Sequence, residues 1–177
     1  MHDNIQLKDA ILSNSVSKIW SSAVVEWEIS SMEEDEDADS ICLCGNTGLR
    51  YLYEIRNRKN GKFLFPIGST CIKKFGRDDL DEEVENRDRM LKLMSAVKRR
   101  ERIVLSSTYF SRKLLEHLRL NDVFNPTSYN KFNGDNDYLF MLDMFNKRTK
   151  TPNQERKATA IIMNSIIPYI RSLIRER

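Results

Sequence analysis

Cys42-Leu43-Cys44-Gly45 and Gly68-Ser69-Thr70-Cys71 bracket two short runs, Leu49-Arg50-Tyr51-Leu52-Tyr53-Glu54-Ile55-Arg56 and Lys62-Phe63-Leu64-Phe65-Pro66-Ile67. Both runs are rich in aromatic and β-branched residues, and the first alternates apolar and polar positions as a half-buried strand does. Between them stands Asn60-Gly61, the strongest short-range signal for a β-hairpin. In an antiparallel hairpin the start of one strand lies beside the end of the other, so this turn carries the cysteine pair to the lone cysteine. Pro66 has no N–H to give to a ladder, which places its end of the second strand at a sheet edge or a bulge. Thiolates bind zinc at about 2.3 Å in tetrahedral sites, and closed sites of this kind are structural. Cys42, Cys44 and Cys71 are therefore the expected ligands of a structural Zn2+ that staples the hairpin base, and a small sheet benefits from such a staple. The alternative is three ordinary buried thiols.

A fourth ligand does not emerge from the spacing. His2 and His117 are the only histidines, and Asp39, Asn46, a water or a partner molecule are further candidates. Catalytic zinc sites rely on histidine and carboxylate ligands with a positioned general base. No such base accompanies the cysteines, so the expectation is a protein that is not an enzyme. Asp35-x-Asp37-x-Asp39 hints at a calcium loop, but the glycine and glutamate that an EF-hand requires are replaced by Ser40 and Asn46. The chain has no phosphate-cradling glycine-rich loop and no nucleophile elbow.

Outward from the hairpin, the 177 residues suit one domain or a small module joined to a helical one. The expected fold is α+β, a small zinc-stapled antiparallel hairpin or sheet followed by a bundle of four or five helices. Its expected division is a β-rich zinc-binding module with an N-terminal helix over 1–76 and a helical domain over 77–177. Residues 6–20 carry a weak helical period, and 23–29 read as a strand. Beyond Gly76 the acids of Asp78-Asp79-Leu80-Asp81 suit the first turn of a helix. A second amphipathic helix is expected over 107–119, a loop over 121–136 and a short helix over 137–145. Thr151-Pro152-Asn153-Gln154 is a capping box with proline at the first helical position, and it opens a last helix that Pro168 should kink.

The net charge of +3 conceals alternating blocks. Residues 33–39 contain six acids and are expected to form a mobile loop. Glu33, Glu34, Asp35, Glu36 and Asp37 are accordingly the candidate contacts to a basic partner. Arg50, Arg56, Arg58, Lys59 and Lys62 interleave with aromatic residues on the hairpin, and Lys98, Arg99 and Arg100 form a second basic run. Such groups suit nucleic acid, since cations meet phosphates and aromatic faces stack on bases. No run reaches the ~20 apolar residues of a membrane helix, and the first residues lack the order of a secretory signal. A soluble protein of the cytoplasm is expected.

From Glu26 to Phe75 the chain resembles a module of small phage and prophage proteins. The matching residues are Glu26-Trp27-Glu28, Cys42-x-Cys44-Gly45, Tyr53-x-Ile55-x-Asn57, Asn60-Gly61 and Pro66-Ile67-Gly68-Ser69-x-Cys71-Ile72-x-x-Phe75. In that module a histidine often follows the C-x-C-G, where this chain has Asn46. In size and character the whole chain is similar to zinc-bearing type II anti-CRISPR proteins of streptococcal phages. That resemblance implies a partner, a Cas9-type nuclease of the bacterial host, bound and inhibited without turnover in the host cytoplasm. The second expectation is a phage nucleic-acid-binding or recombination accessory protein acting through Arg56, Arg58, Lys59, Lys98, Arg99 and Arg100.

Overall fold

A computed structural model describes residues 2–175, with side chains from Ile5 onward. It is an α+β fold whose only sheet among the described residues has three antiparallel strands in the order β1-β2-β3. These are β1 (Trp27–Glu34), β2 (Tyr51–Asn57) and β3 (Phe63–Ile67). The described residues divide into two compact units, one made of 2–87 with 173–175 and the other of 88–172. The division falls inside a helix rather than at the composition change near residue 76. The first unit keeps the start of that helix because Arg77 Nη1 donates to the carbonyls of Val24 (3.0 Å) and Trp27 (2.7 Å). It regains the chain at the far end, where Ile174 bridges Met32 in parallel and Arg175 N–H donates to Met32 O at 2.8 Å.

In the first unit, α1 (His2–Asn14) and the single turn α2 (Trp20–Ala23) lead through a 3₁₀ turn into β1. The strand expected over 23–29 thus begins only at Trp27, because 20–26 are used in helical turns. It then runs on to Glu34, into the stretch expected to be a mobile acidic loop. Tertiary pairing overrides charge repulsion there: Glu33 lies opposite Leu52 and Glu34 opposite Tyr51. Both acids are buried, and their cations come from elsewhere in the unit. Glu34 pairs with Arg50 at 3.0 Å, and Glu33 faces Arg175 at 3.9 Å.

The hairpin forms as the sequence predicts. Asn57 N–H donates to Lys62 O and Gly61 N–H to Asn57 O, and Gly61 takes a φ of +73° that favours glycine. Pairing passes from Ile55 opposite Leu64 to Tyr53 opposite Ile67, so one residue of β2 faces two of β3. This is a bulge at Phe65 and Pro66 on an edge strand, which accommodates the missing N–H.

The turn end of the hairpin is anchored by a buried carboxylate. Glu26 accepts from Asn57 Nδ2 (2.8 Å), Val16 N–H (2.8 Å) and Ser17 N–H (2.9 Å), and Lys59 Nζ stands 3.5 Å away. Burial raises the pKa of such a group, but here the donors outweigh it and the carboxyl is held at about 2. Asn57 Oδ1 in turn accepts from the N–H groups of Lys59 and Asn60 inside the turn. One side-chain pair therefore joins α1's exit, the start of β1 and the hairpin turn.

In the second unit, the later part of α4 (Asp78–Lys98) is followed by irregular chain, then α5 (Arg112–Leu120), α6 (Gly134–Asn146), α7 (Pro152–Ile161) and α8 (Ile167–Leu173). α5 packs on α6, and α6 on α7. The helix expected from 107 starts at 112 because Ser111 is its N-cap, accepting from Leu114 N–H. α6 starts at 134 rather than 137, capped by Asn133. The Thr151 capping box is present with both its bonds. The disturbance expected at Pro168 takes the form of a π-helical segment, Ile162–Ile166, joining α7 to α8. Ile167 N–H reaches back to Ile162 O, and Pro168 has no N–H to offer Asn164 O. Among the described residues, no helix is long and apolar enough to cross a membrane.

The anchor predicts both a mutational and a pH effect. Asn57→Ala strips a donor from a buried carboxylate and should cost about 3 kcal/mol in denaturant unfolding. Because the folded-state pKa of Glu26 lies below its ordinary 4.5, its stabilisation is present above that value and is lost as pH falls towards 2. Melting temperature should fall across that window, and Glu26→Gln should flatten the fall while lowering stability at neutral pH.

Candidate metal centre

The three cysteines are free thiols, and all are buried. Two local devices place them, one for Cys42 and Cys44 and one for Cys71. Ser40 and Leu49 form an isolated antiparallel bridge that closes the loop between β1 and β2. Within it, Cys42 N–H donates to Asn46 O and Gly45 N–H to Cys42 O, both at 2.8 Å, folding Cys42 to Asn46 into a tight turn. Gly45 sits at φ +91°, and a Cβ there would meet Gln6 Oε1 at 2.7 Å, so the turn needs glycine on two counts. Leu43 N–H donates to Pro66 O at 3.0 Å and lays this turn against the end of β3. Gly68 then starts the short helix α3 (Ser69–Lys73), and Cys71 N–H donates back to Gly68 O. Hairpin pairing and these two turns bring the sulfurs together.

All three sulfur atoms lie within 4.8 Å of one another. Cys42 Sγ is 3.6 Å from Cys71 Sγ, and Cys71 Sγ is 3.2 Å from Cys44 Sγ. A disulfide spans about 2.05 Å, so these are contacts and not bonds. Two sulfurs each about 2.3 Å from a tetrahedral ion lie roughly 3.8 Å apart, near the 3.6 Å of Cys42 and Cys71 and longer than the 3.2 Å of Cys71 and Cys44. The thiols also differ in proton affinity. The Cys71 thiol beside it, then the N–H groups of Cys44 and Gly68, overcome burial and lower the Cys42 pKa to about 5. The same contact with Cys42, helped by burial, pushes Cys71 above the ordinary thiol range. Gly68 N–H stands 3.4 Å from Cys42 Sγ, an outer hydrogen bond of the kind that steadies a thiolate ligand. A buried, partly ionised sulfur trio of this size could hold a metal ion.

Among the described residues, no histidine or carboxylate joins the trio. Asn46 is exposed, and its backbone oxygen is used in the turn. Asp39 is exposed too, its N–H donating to Asp35. His117 belongs to α5 in the second unit and lies against Asn121. The side chain of His2 lies outside the described residues.

The acidic candidates separate into two groups. Glu33 and Glu34 are strand residues committed to Arg175 and Arg50. Asp35 folds the next turn by accepting from Ser40 Oγ (2.6 Å), Ser40 N–H and Asp39 N–H, and these donors hold its carboxyl below the usual range. Glu36 and Asp37 are exposed on that turn. Among the basic candidates, Arg58 stands 3.9 Å from Glu28, and Lys59 pairs with Glu26. Arg56 lies over the exposed ring of Phe63 at 5.8 Å.

Sequence reading missed the Glu26–Asn57 pair and the return of Arg175. For the first, the signal was the presence of both residues among those that match the phage module, with nothing to pair them; for the second there was none. Compared with protein-family models, curated proteins and solved structures, the chain gives no match.

Titration with cadmium should produce ultraviolet thiolate-to-metal absorption that saturates at one ion per chain, with protons released as thiols give way to metal bonds. Cys71→Ser should lose most of that absorption. Gly45→Ala should destabilise the first unit by about 2 kcal/mol, since it strains a left-handed position and meets Gln6.

Proposed function

We propose that the chain is a non-enzymatic binding protein of phage origin. In this reading Cys42, Cys44 and Cys71 hold a structural Zn2+, and the rigid module inhibits a Cas9-type nuclease in the cytoplasm of the bacterial host. The observation that carries the zinc reading is the buried sulfur trio at the base of the hairpin. Zinc there supplies a cross-link between the loop before β2 and the helix after β3, and neutralises thiolates that burial would otherwise penalise. Among the described residues no histidine or carboxylate stands beside the trio, which favours a structural over a catalytic ion.

The inhibitor reading rests on the resemblance of the whole chain, in size and character, to zinc-bearing anti-CRISPR proteins, and on the placement of charge. A Cas9-type nuclease grips its heteroduplex in a positively charged channel through backbone contacts. An acidic surface obstructs such a channel without copying DNA in detail. The acids suited to that task are Glu36 and Asp37, held outward on a turn that Asp35 and Ser40 fix. Glu33 and Glu34 contribute by anchoring the strand beneath it.

A second reading, nucleic-acid binding by the hairpin, is favoured by one feature, the exposed Arg56–Phe63 pair. It is weakened by the commitment of Arg58 and Lys59 to carboxylates of their own unit.

Purified protein should contain about one zinc per chain. Chelation or Cys71→Ser should lower its melting temperature markedly, and unchanged melting after chelation overturns the structural-metal reading. Added to a Cas9-type nuclease, the protein should suppress cleavage at stoichiometric amounts. Reversing Glu36 and Asp37 to lysine should weaken inhibition about tenfold, less so at high salt. Absence of inhibition, together with direct DNA binding of steep salt dependence, transfers the assignment to the nucleic-acid reading.

A further inference from the structure

The second unit contains a cavity of about 610 Å³ between α6, α7, the π-helical segment and the turn at 127–130. Its volume falls within the range of small-molecule sites, which combine apolar walls with a few converging polar groups. Ala160 and Ile161 supply apolar wall; the polar groups include Asp137, Arg156, Lys157, Asn164 and Ser165.

Of the residues lining this cavity, Asp137 has a buried polar atom that the structure leaves without a hydrogen-bond partner. It is buried, and its Oδ2 accepts from Asn130 Nδ2 at 2.9 Å, while Oδ1 is fully enclosed with no hydrogen-bond partner. Lys157 Nζ lies 3.7 Å from Oδ1, a countercharge beyond hydrogen-bonding distance, and 4.4 Å from the centre of the Phe140 ring. A buried acceptor without a donor costs free energy, and such groups call for an explanation. Beside it, Arg156 is exposed on α7, and Tyr129 is 91% exposed at the rim. The wall formed by Asn164 and Ser165 belongs to the π-helical segment, a distortion that recurs at functional sites.

We infer that this cavity binds a nucleoside monophosphate. The three chemical parts of that ligand match the three kinds of group present. Arg156 and Lys157 face a phosphate, for which a guanidinium fork and a mobile ammonium are suited. The open face of Tyr129 offers a stacking surface for a base. Asp137 Oδ1 accepts an N–H from the base edge. Lys157 is the moving part: its ammonium leaves Asp137 for the phosphate, and the base N–H replaces it on Oδ1. A net positive lining then faces an anionic ligand, and the orphaned oxygen gains its donor. None of these residues belongs to the sulfur trio or to the acidic turn.

Isothermal titration of the full chain with GMP, AMP, CMP and UMP tests this, with the matching nucleosides and inorganic phosphate as comparison. At least one monophosphate should bind at one per chain in the submillimolar range, at least tenfold tighter than its nucleoside and than phosphate alone. Ala160→Trp fills the cavity from an exposed helix position and should abolish binding. Arg156→Gln should weaken binding tenfold or more, and both variants should keep the wild-type melting temperature. Asp137→Asn should change the order of preference among the four bases. No binding of any monophosphate at millimolar concentration overturns the inference. So does phosphate binding as tightly as the nucleotides, or undiminished binding by Ala160→Trp.

Discussion

The β2–β3 hairpin is secured at both ends, and the rest of the first unit is arranged around that constraint. At the turn end the buried Glu26 carboxylate collects donors from Asn57, Val16 and Ser17. At the open end three sulfurs crowd together behind the turn of Cys42 to Asn46. A hairpin alone is marginal in water. With its register held at both ends it gives β1 a fixed partner, and β1 fixes the acids at Glu33 and Glu34. The two anchors differ in kind. The carboxylate is complete in itself, because every charge and donor comes from the unit. The sulfur trio is a set of soft donor atoms, buried together and brought to one point by separate turns. That convergence is the physical reason for reading the trio as a group that could hold a metal ion rather than as packing.

Much of the site was legible because it is local. Asn60-Gly61 forces the turn, the two glycine-flanked cysteine motifs stand on either side of it, and Pro66 demands an edge or bulge. Each of these follows from backbone geometry within a few residues. The α+β class followed from the change of period near Gly76, and the Thr151 capping box from its side-chain chemistry. The failures are non-local. Six acids in seven positions read as a loop because their own charges repel. Arg50 and Arg175, distant in sequence, turned two of them into strand residues. The start of β1 was displaced for a related reason, since residues 20–26 are spent on helical turns that set up the Glu26 anchor.

The helical unit shows how one residue's chemistry spreads. Pro168 was expected to kink the last helix. Instead the chain widens to π geometry one turn earlier, so that Ile167 can find an acceptor at Ile162. That adjustment sets Asn164 and Ser165 on the wall of the cavity that also contains Asp137. A missing N–H at one position thus shapes a recess several residues away, which periodicity alone does not foretell.

The return of Ile174 and Arg175 to β1 makes the helical unit an insertion within the sheet unit rather than an appendage to it. Those residues also cover the outer side of β1 at Met32, opposite the side that meets β2. An unsheathed strand edge is a template for pairing with other chains. A nick near Leu173 would therefore do more than open a loop: it would bare the outer backbone of β1 at Met32, and make self-association a fault of the sheet caused by damage remote from it in sequence.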